Sequence, residues 1–240
     1  MNLKPYYSVV VPFYNEGENL PRLIEEIDGM LHRLDKPAEI ILVNDGSTDK
    51  FEKPRLSPHY VIRWLALDRN SGQSAALYYG MQAARGERVI LLDADLQNDP
   101  ADVPAMLAMM DREKLDLVTG VRAKRNDNWV RRVASRIGNG VRSTVLRDRT
   151  SDTGCTLKVM TRAAAQRLPG WHGMHRFIPA LTLGAGYEIG EMPVSHRARY
   201  AGVSKVNGAK RAVRVIYDLG GMFWLKGRQF QGRLLPEDEE

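Results

Sequence analysis

The sequence predicts an α/β protein, a mainly parallel sheet with helices on both faces, followed by a C-terminal amphipathic helical segment. Three observations carry that expectation. Short β-branched apolar runs recur through the first half of the chain, segments with helical spacing of apolar residues lie between them, and clusters of polar residues follow the apolar runs directly.

The elements follow in chain order. Ser8 to Pro12, Glu39 to Val43, Val61 to Leu67 and Arg88 to Leu92 are brief, β-branched and bounded by turn residues, the pattern of strands buried on both faces. After the first of them, Leu20, Leu23, Ile24, Ile27, Leu31 and Leu34 fall on one helical face. A second helical run, preceded by Ser71, is expected to extend to Ala84. Asp99 followed by Pro100 has the form of an N-cap with proline at the first helical position. A fifth strand is expected over Asp116 to Val121, then basic helices and loops to Thr150 and a strand near Thr156 to Met160. Helices near Ala163 to Leu168 and Phe177 to Leu183 and a strand near Tyr187 to Val194 complete the domain.

Composition narrows the function classes. The chain has 240 residues, 43% hydrophobic and 27% charged, which excludes a disordered chain or a membrane-embedded bundle. A net charge of +6 points to anionic partners, whether nucleotide phosphates, acidic headgroups or nucleic acid. Cys155 is the only cysteine, so an intrachain disulfide and a cysteine-based metal site are excluded, and a reducing compartment is expected. No export signal is visible, and no apolar stretch reaches the roughly 18 to 20 residues that span a bilayer. Membrane contact is therefore expected to be peripheral.

In open parallel sheets, ligands bind beyond the carboxyl ends of the strands. Three polar clusters stand there: Pro12 to Glu16, Asn44 to Asp49, and Asp93 to Gln97. Asp93 and Asp95, one residue apart, supply the hard oxygen ligands that Mg²⁺ or Mn²⁺ prefers, and such an ion bridges a diphosphate. A solvated turn with an N-cap explains the spacing equally well, since Asp99 and Asp102 make the region acidic anyway. For Asp45, turn chemistry with Asp49 capping a helix is the simpler reading; the alternative has its carboxylate accepting from a nucleotide base or ribose. Ser71-Gly72-Gln73 reads as a diphosphate site at a helix N-terminus or as a plain cap. His172, His175 and His196 lack the short spacing of a zinc site.

Taken together and in order, these motifs resemble glycosyltransferase family 2, with the GT-A fold, and within it the dolichyl- and polyprenyl-phosphate sugar synthases. The resemblance runs from Ser8 to Lys205 and includes Asn70 to Gln73, Gly120-Val121-Arg122, Ser151 to Cys155 and Arg199 to Lys205. It implies that Pro12, Tyr14, Glu16, Val43 and Asp45 hold the nucleoside, and that Asp93, Ala94, Asp95 and Gln97 form the metal and diphosphate motif with Asp93, Asp95 and Gln97 as ligands. It implies that Arg122, Arg199 and Lys205 grip phosphate, with Arg136 as a further basic contact. Asp95, Arg122 and Asp152 are the catalytic candidates, the role of Asp152 being open. Asn44 stands where the family commonly has an aspartate.

The implied reaction is an inverting transfer of a sugar from a GDP- or UDP-linked donor to a polyprenyl phosphate, with Mg²⁺ or Mn²⁺. A phosphate acceptor is already an anion near neutral pH, so it calls for cations and no general base. The implied division is a catalytic domain over 1–205, with a nucleotide-binding half to 121 and an acceptor half from 122, then an amphipathic helix and acidic tail over 206–240. In that tail Val206, Ala209, Val213, Ile216, Tyr217, Gly220, Phe223 and Trp224 make one stripe, with Lys210, Arg211, Arg214, Lys226 and Arg228 opposite or flanking it. The stripe fits an anionic membrane surface, the protein's own core or a second subunit of a homo-oligomer. The expected location is the cytoplasm, peripherally on the cytoplasmic face of the membrane. Two other readings compete: a GT-A enzyme acting on a saccharide hydroxyl with Asp152 as base, and a non-catalytic basic module binding membrane or nucleic acid. The carboxylates at three successive strand ends disfavour the latter, and no nucleic-acid partner is expected.

Overall fold

The structure is a computed structural model that describes residues 4–51, 60–122, 150–197, 217–225 and 228. Its strands are β1 (Tyr7–Phe13), β2 (Ala38–Asn44), β3 (Tyr60–Ala66), β4 (Arg88–Leu91), β5 (Leu117–Arg122), β6 (Lys158–Thr161) and β7 (Ile189–Val194). Its helices are α1 (Leu20–His32), α2 (Gln73–Ala83), α3 (Val103–Glu113), α4 (Arg162–Arg167), α5 (Ile178–Gly184) and α6 (217–225). The strands form one sheet in the order β3-β2-β1-β4-β6-β5-β7. Neighbours from β3 to β4 are parallel, as are β5 and β7; β6 runs antiparallel to both β4 and β5. The expectation of a mainly parallel sheet holds, with one reversed strand inside it.

Alternation along each strand divides the core into two layers. Val9, Val11, Ile40, Leu42 and Ile90 face α1 and α3, which bury Leu20, Leu23, Ile27, Met106 and Met110 there. Val10, Ile41, Val43, Val89 and Leu91 face α2, α4 and α5 through Leu77, Met81, Ala164 and Leu181. The sheet is thus covered on both sides, which is why its strands read as continuous apolar runs. Helix α1 stops at His32, two residues before the expected Leu34, and Asp35 then takes a left-handed backbone with φ 48°.

The strand order places the site. From β1 the chain moves outward through β2 and β3, then returns to the other side of β1 as β4. The space between β1 and β4 at their carboxyl ends is a topological switch point, the crevice where open α/β sheets bind ligands. Register aligns the ends there: Phe13 pairs with Asn44, and the Leu92 amide donates to the Val10 carbonyl at 3.1 Å just before Asp93.

Candidate active site

Beyond β4 the chain leaves the sheet and buries alternate residues. Ala94 and Leu96 are 3% exposed, while Asp93, Asp95 and Gln97 are half-buried between them. Leu96 sits at φ 59°, a left-handed backbone that a leucine adopts only under local constraint. That bend turns the motif across the sheet end, and the Gln97 amide closes it by donating to Asp95 Oδ1 at 3.1 Å. The Asp93 carboxyl is pushed up to about 6, first by its burial and then by the Asp95 charge; hydrogen bonds from Thr156 and Gln73 and the Lys158 charge oppose the rise. Gln73 Nε2 donates to Asp93 Oδ1 at 2.6 Å.

Asp93, Ala94 and Asp95 share a cavity of about 220 Å³ with Pro12, Phe13, Tyr14, Glu16, Asp45, Gln73 and Ala76. The three carboxylates that follow β1's neighbours β2 and β4 therefore open on one space. Phe13 closes the back of this space against Phe51 and, behind it, Trp64, with ring centroids 5.2 and 6.2 Å away. Val43 does not line the cavity: its side chain is fully buried under α2, so only its backbone faces that end of the sheet.

Asp45 is almost wholly buried, and its two oxygens accept the Ser71 and Gly72 amides at 2.7 and 2.8 Å. It fixes the Ser71-Gly72 loop that leads into α2, so those two amides are already engaged by a carboxylate; the N-cap residue itself is Gly72, without a side-chain capping bond. Gly46, at φ 69°, lies so close to Arg69 and Asn70 that a Cβ would come within 2.6 Å of their backbones. Asp49 Oδ2 accepts the Gly17 amide at 2.9 Å and ties the second loop to the first; the helix it is expected to cap would run into 52–59, outside the described residues. Asn15 does the same from the other side, with φ 52° and its Oδ1 accepting the Thr48 amide at 2.7 Å. Glu16 accepts from Asn19 Nδ2 at 2.6 Å.

Arg122 at the end of β5 forms a two-point pair with Asp152: Nε to Oδ2 at 2.7 Å and Nη2 to Oδ1 at 2.8 Å. Asp152 is 4% exposed and also accepts the Gly154 amide at 3.1 Å. A Cβ at Gly154 would come within 2.7 Å of Arg122 Nη2, so the glycine makes room for the guanidinium. Beneath this pair Lys158 is fully buried with its ammonium on the Cys155 carbonyl; burial pushes its pKa down, while Cys155, Asp93 and Asp152 pull it up. Gln97 is turned toward Arg197, whose carbonyl takes its Nε2 at 3.5 Å, and it does not line the cavity. Arg136, Arg199 and Lys205 lie outside the described residues.

The histidines do not gather. His172 is exposed, His175 Nδ1 lies 2.6 Å from Ser74 Oγ, and His196 bridges to Asn98. Among the described residues, no three His, Cys, Asp or Glu side chains are placed to hold an ion together. The donor set at the cavity is the Asp93 and Asp95 carboxylates, Asp93 being raised first by burial and then by the Asp95 charge, and such oxygen donors fit a hard divalent cation. Lys158 is a residue at this site that sequence reasoning missed, because it acts through burial; Gln73 and Asn15 stand in motifs the sequence shows, but their partners Asp93 and Thr48 do not follow from it.

A doubly covered, mainly parallel sheet with an aspartate pair at its switch point defines a GT-A-type transferase fold. The chain matches the pattern of glycosyl transferase family 2 over residues 8–168 and belongs to that family. It is 37% identical over 227 residues to the dodecaprenyl-phosphate galacturonate synthase of Rhizobium johnstonii, covering 91% of this chain and 67% of that protein. It is 37% identical over 216 residues to the undecaprenyl-phosphate 4-deoxy-4-formamido-L-arabinose transferase of Serratia proteamaculans, covering 88% of this chain and 66% of that protein. The chain thus spans about two thirds of the length of these relatives. Among solved structures, glucosyl-3-phosphoglycerate synthase from Mycobacterium tuberculosis, in complex with Mn²⁺, UDP-glucose and phosphoglyceric acid, matches with a TM-score of 0.66. That match is 18% identical and covers 95% of this chain and 82% of the other.

Proposed function

We propose that the protein transfers a sugar from a nucleoside diphosphate donor to a polyprenyl phosphate, with inversion, at the cytoplasmic face of a membrane. The observation that carries this reading is the opening of Asp45, Asp93 and Asp95 on one cavity at the β1–β4 switch point. Pro12, Tyr14 and Glu16 form the nucleoside side of that cavity, and Asp45 sets its floor by fixing the start of α2. Asp93 and Asp95 would hold a divalent cation, Mg²⁺ or Mn²⁺, with Gln97 reaching it after release from Arg197. When bound, the ion offsets the charge that builds on the departing diphosphate. Both named relatives act on polyprenyl phosphates, and this supports the acceptor class.

The acceptor side fits an anion. An oxygen of the acceptor phosphate forms the bond to the anomeric carbon while the bond to the donor diphosphate breaks and its electron pair leaves with the diphosphate. No proton has to be removed, so the site calls for cations at the acceptor. Asp152 holds Arg122 at a fixed angle, which suits two-point phosphate recognition. Its engagement with that guanidinium favours the phosphate acceptor over a saccharide hydroxyl, where Asp152 would serve as base. Arg136, Arg199 and Lys205 would complete the grip. The outward aromatic face of α6 would rest on anionic lipid and bring the site to its acceptor; among the described residues no helix is long and apolar enough to cross a membrane.

The test is a thermal-shift screen of UDP- and GDP-linked sugars with Mg²⁺ and Mn²⁺, followed by transfer assays to short-chain prenyl phosphates and to oligosaccharides. Asp95→Ala is expected to lower transfer by about 100-fold or more with the fold intact. Full activity of Asp95→Ala under chelation would remove the metal from the mechanism, and transfer to oligosaccharides alone would replace the acceptor class.

A further inference from the structure

Helix α6 lies mostly at the surface, with Tyr217 83%, Phe223 65% and Trp224 59% exposed, yet it carries a carboxylate that is buried. Asp218 is 8% exposed, and burying a charge is unfavourable unless the charge is paired. Its partner is Arg176, whose Nη1 lies 3.3 Å from Asp218 Oδ2. The same oxygen presses on the turn before Arg176: a Cβ at Gly173 would come within 2.6 Å of it, and Gly173 has φ 96°. Glycine is therefore required there twice, for room and for the left-handed backbone.

That turn is anchored at its other end to the metal side. The Gly173 amide donates to Ser74 Oγ at 2.9 Å, and His175 Nδ1 lies 2.6 Å from the same oxygen. Ser74 is 4% exposed in the first turn of α2, and its chain neighbour Gln73 holds Asp93. Met222 of α6 is buried in the same core layer as Met174, Phe177 and Leu77, so the helix is seated on the domain by packing that does not involve Asp218. A buried ion pair adds little net stability to such an interface. What it adds is geometry: three separate parts of the chain, around positions 74, 173–176 and 218, are fixed to one another at the boundary between the aspartate cavity and α6.

We propose that Asp218 is a positioning residue for the acceptor, holding the turn 171–177 through Arg176 and Gly173 so that the turn stays docked on Ser74 beside the metal aspartates. The inference rests on the polyprenyl-phosphate reading above for the identity of the acceptor, and on the contacts alone for the hold on the turn. Asp218→Asn keeps the shape and removes the charge, leaving Met222 and its packing in place.

The experiment compares wild type, Asp218→Asn, Arg176→Met and the double variant. It measures binding of farnesyl phosphate, binding of UDP with Mn²⁺, thermal midpoint, and hydrogen exchange of the peptide 171–177. Asp218→Asn is expected to weaken farnesyl phosphate binding about tenfold, with UDP–Mn²⁺ binding within about twofold and exchange at 171–177 accelerated. Because the two residues act as one unit, the double variant should lose about tenfold as well, not about a hundredfold. Unchanged exchange at 171–177 in Asp218→Asn overturns the proposal, whatever the acceptor. Parallel loss of UDP binding and thermal midpoint would show a structural role only and overturn it too. Wild type that binds UDP with Mn²⁺ but no farnesyl phosphate would overturn the acceptor class, and that failure is read separately from the exchange arm.

Discussion

Asp93 and Asp95 lie close together at the end of β4, and the Asp93 carboxyl is pushed up to about 6 from 3.8, first by its burial and then by the Asp95 charge. Between those two values the folded chain binds more protons than the unfolded one, so this group stabilises the metal-free protein as pH falls and the contribution is lost as pH rises through about 6. Solvent reaches the half-buried group and reduces the effect to about 1–2 kcal/mol. Urea unfolding in a chelator at pH 5 and pH 7.5 should therefore show a wild-type difference that Asp93→Asn flattens. An equal pH response in both proteins would mean that Asp93 is not strained. The second prediction at this scale concerns Gln73, whose amide holds Asp93 in place: Gln73→Ala should weaken Mn²⁺ binding by about tenfold, the range of an outer-shell contact, as read by paramagnetic resonance titration. The aspartates were legible in the sequence because a strand end announces itself by an apolar run stopping at polar residues. Gln73 and Asn15 stood in candidate motifs, but what each of them holds was not legible, since their partners lie 20 and 33 residues away and only the fold brings them together.

At the scale of elements, α2 matters most because its first turn carries Gln73 and Ser74 and follows the Ser71-Gly72 loop that Asp45 holds. It lies very close to the sheet: a Cβ at Gly80 would come within 2.3 Å of Val10 Cγ1 and 3.1 Å of Val43 Cγ2. A methyl group there cannot be accommodated without moving the helix away from β1 and β2. Gly80→Ala should accordingly cost about 1–3 kcal/mol in spite of alanine's better helix propensity, the overpacking term outweighing a gain of about 1 kcal/mol. A midpoint that rises in Gly80→Ala would show that the helix shifts freely. Among the described residues, strand and helix positions were legible to within a residue or two, since the central strands β1, β2 and β4 are covered on both faces and read as apolar runs. The antiparallel direction of β6 was not, because a four-residue strand such as Lys158–Thr161 carries no signal of direction. The early end of α1 was equally hidden, since Leu34 continues the apolar spacing and packs against the same core after the helix has ended.

For the whole molecule, the proposed membrane contact turns on the arrangement of α6. The sequence left the tail's apolar stripe open between an anionic membrane surface and packing on the protein's own core or a second subunit. In the structure α6 turns Met222 and Asp218 inward and leaves Tyr217, Phe223 and Trp224 outward, so the described part of that stripe does not belong to the core. Arg228 lies over the Trp224 ring at 4.8 Å, adding a cation beside the aromatic face. Lys205, Lys210, Arg211, Arg214, Lys226, Arg228 and Arg233 surround the segment in sequence, against Asp218 as its sole acid before the tail. Basic residues near an anionic surface contribute about 1 kcal/mol each and are screened by salt, whereas the aromatic contribution is not. Vesicles containing phosphatidylglycerol should therefore sediment the protein at low salt and partly at high salt. Replacing Tyr217, Phe223 and Trp224 by serine should abolish the salt-resistant part while leaving the thermal midpoint nearly unchanged, because exposed side chains contribute little to the fold. If the triple variant sediments like the wild type but changes from dimer to monomer in solution, the aromatic face is a contact between copies of the chain and the lipid surface must meet the protein elsewhere.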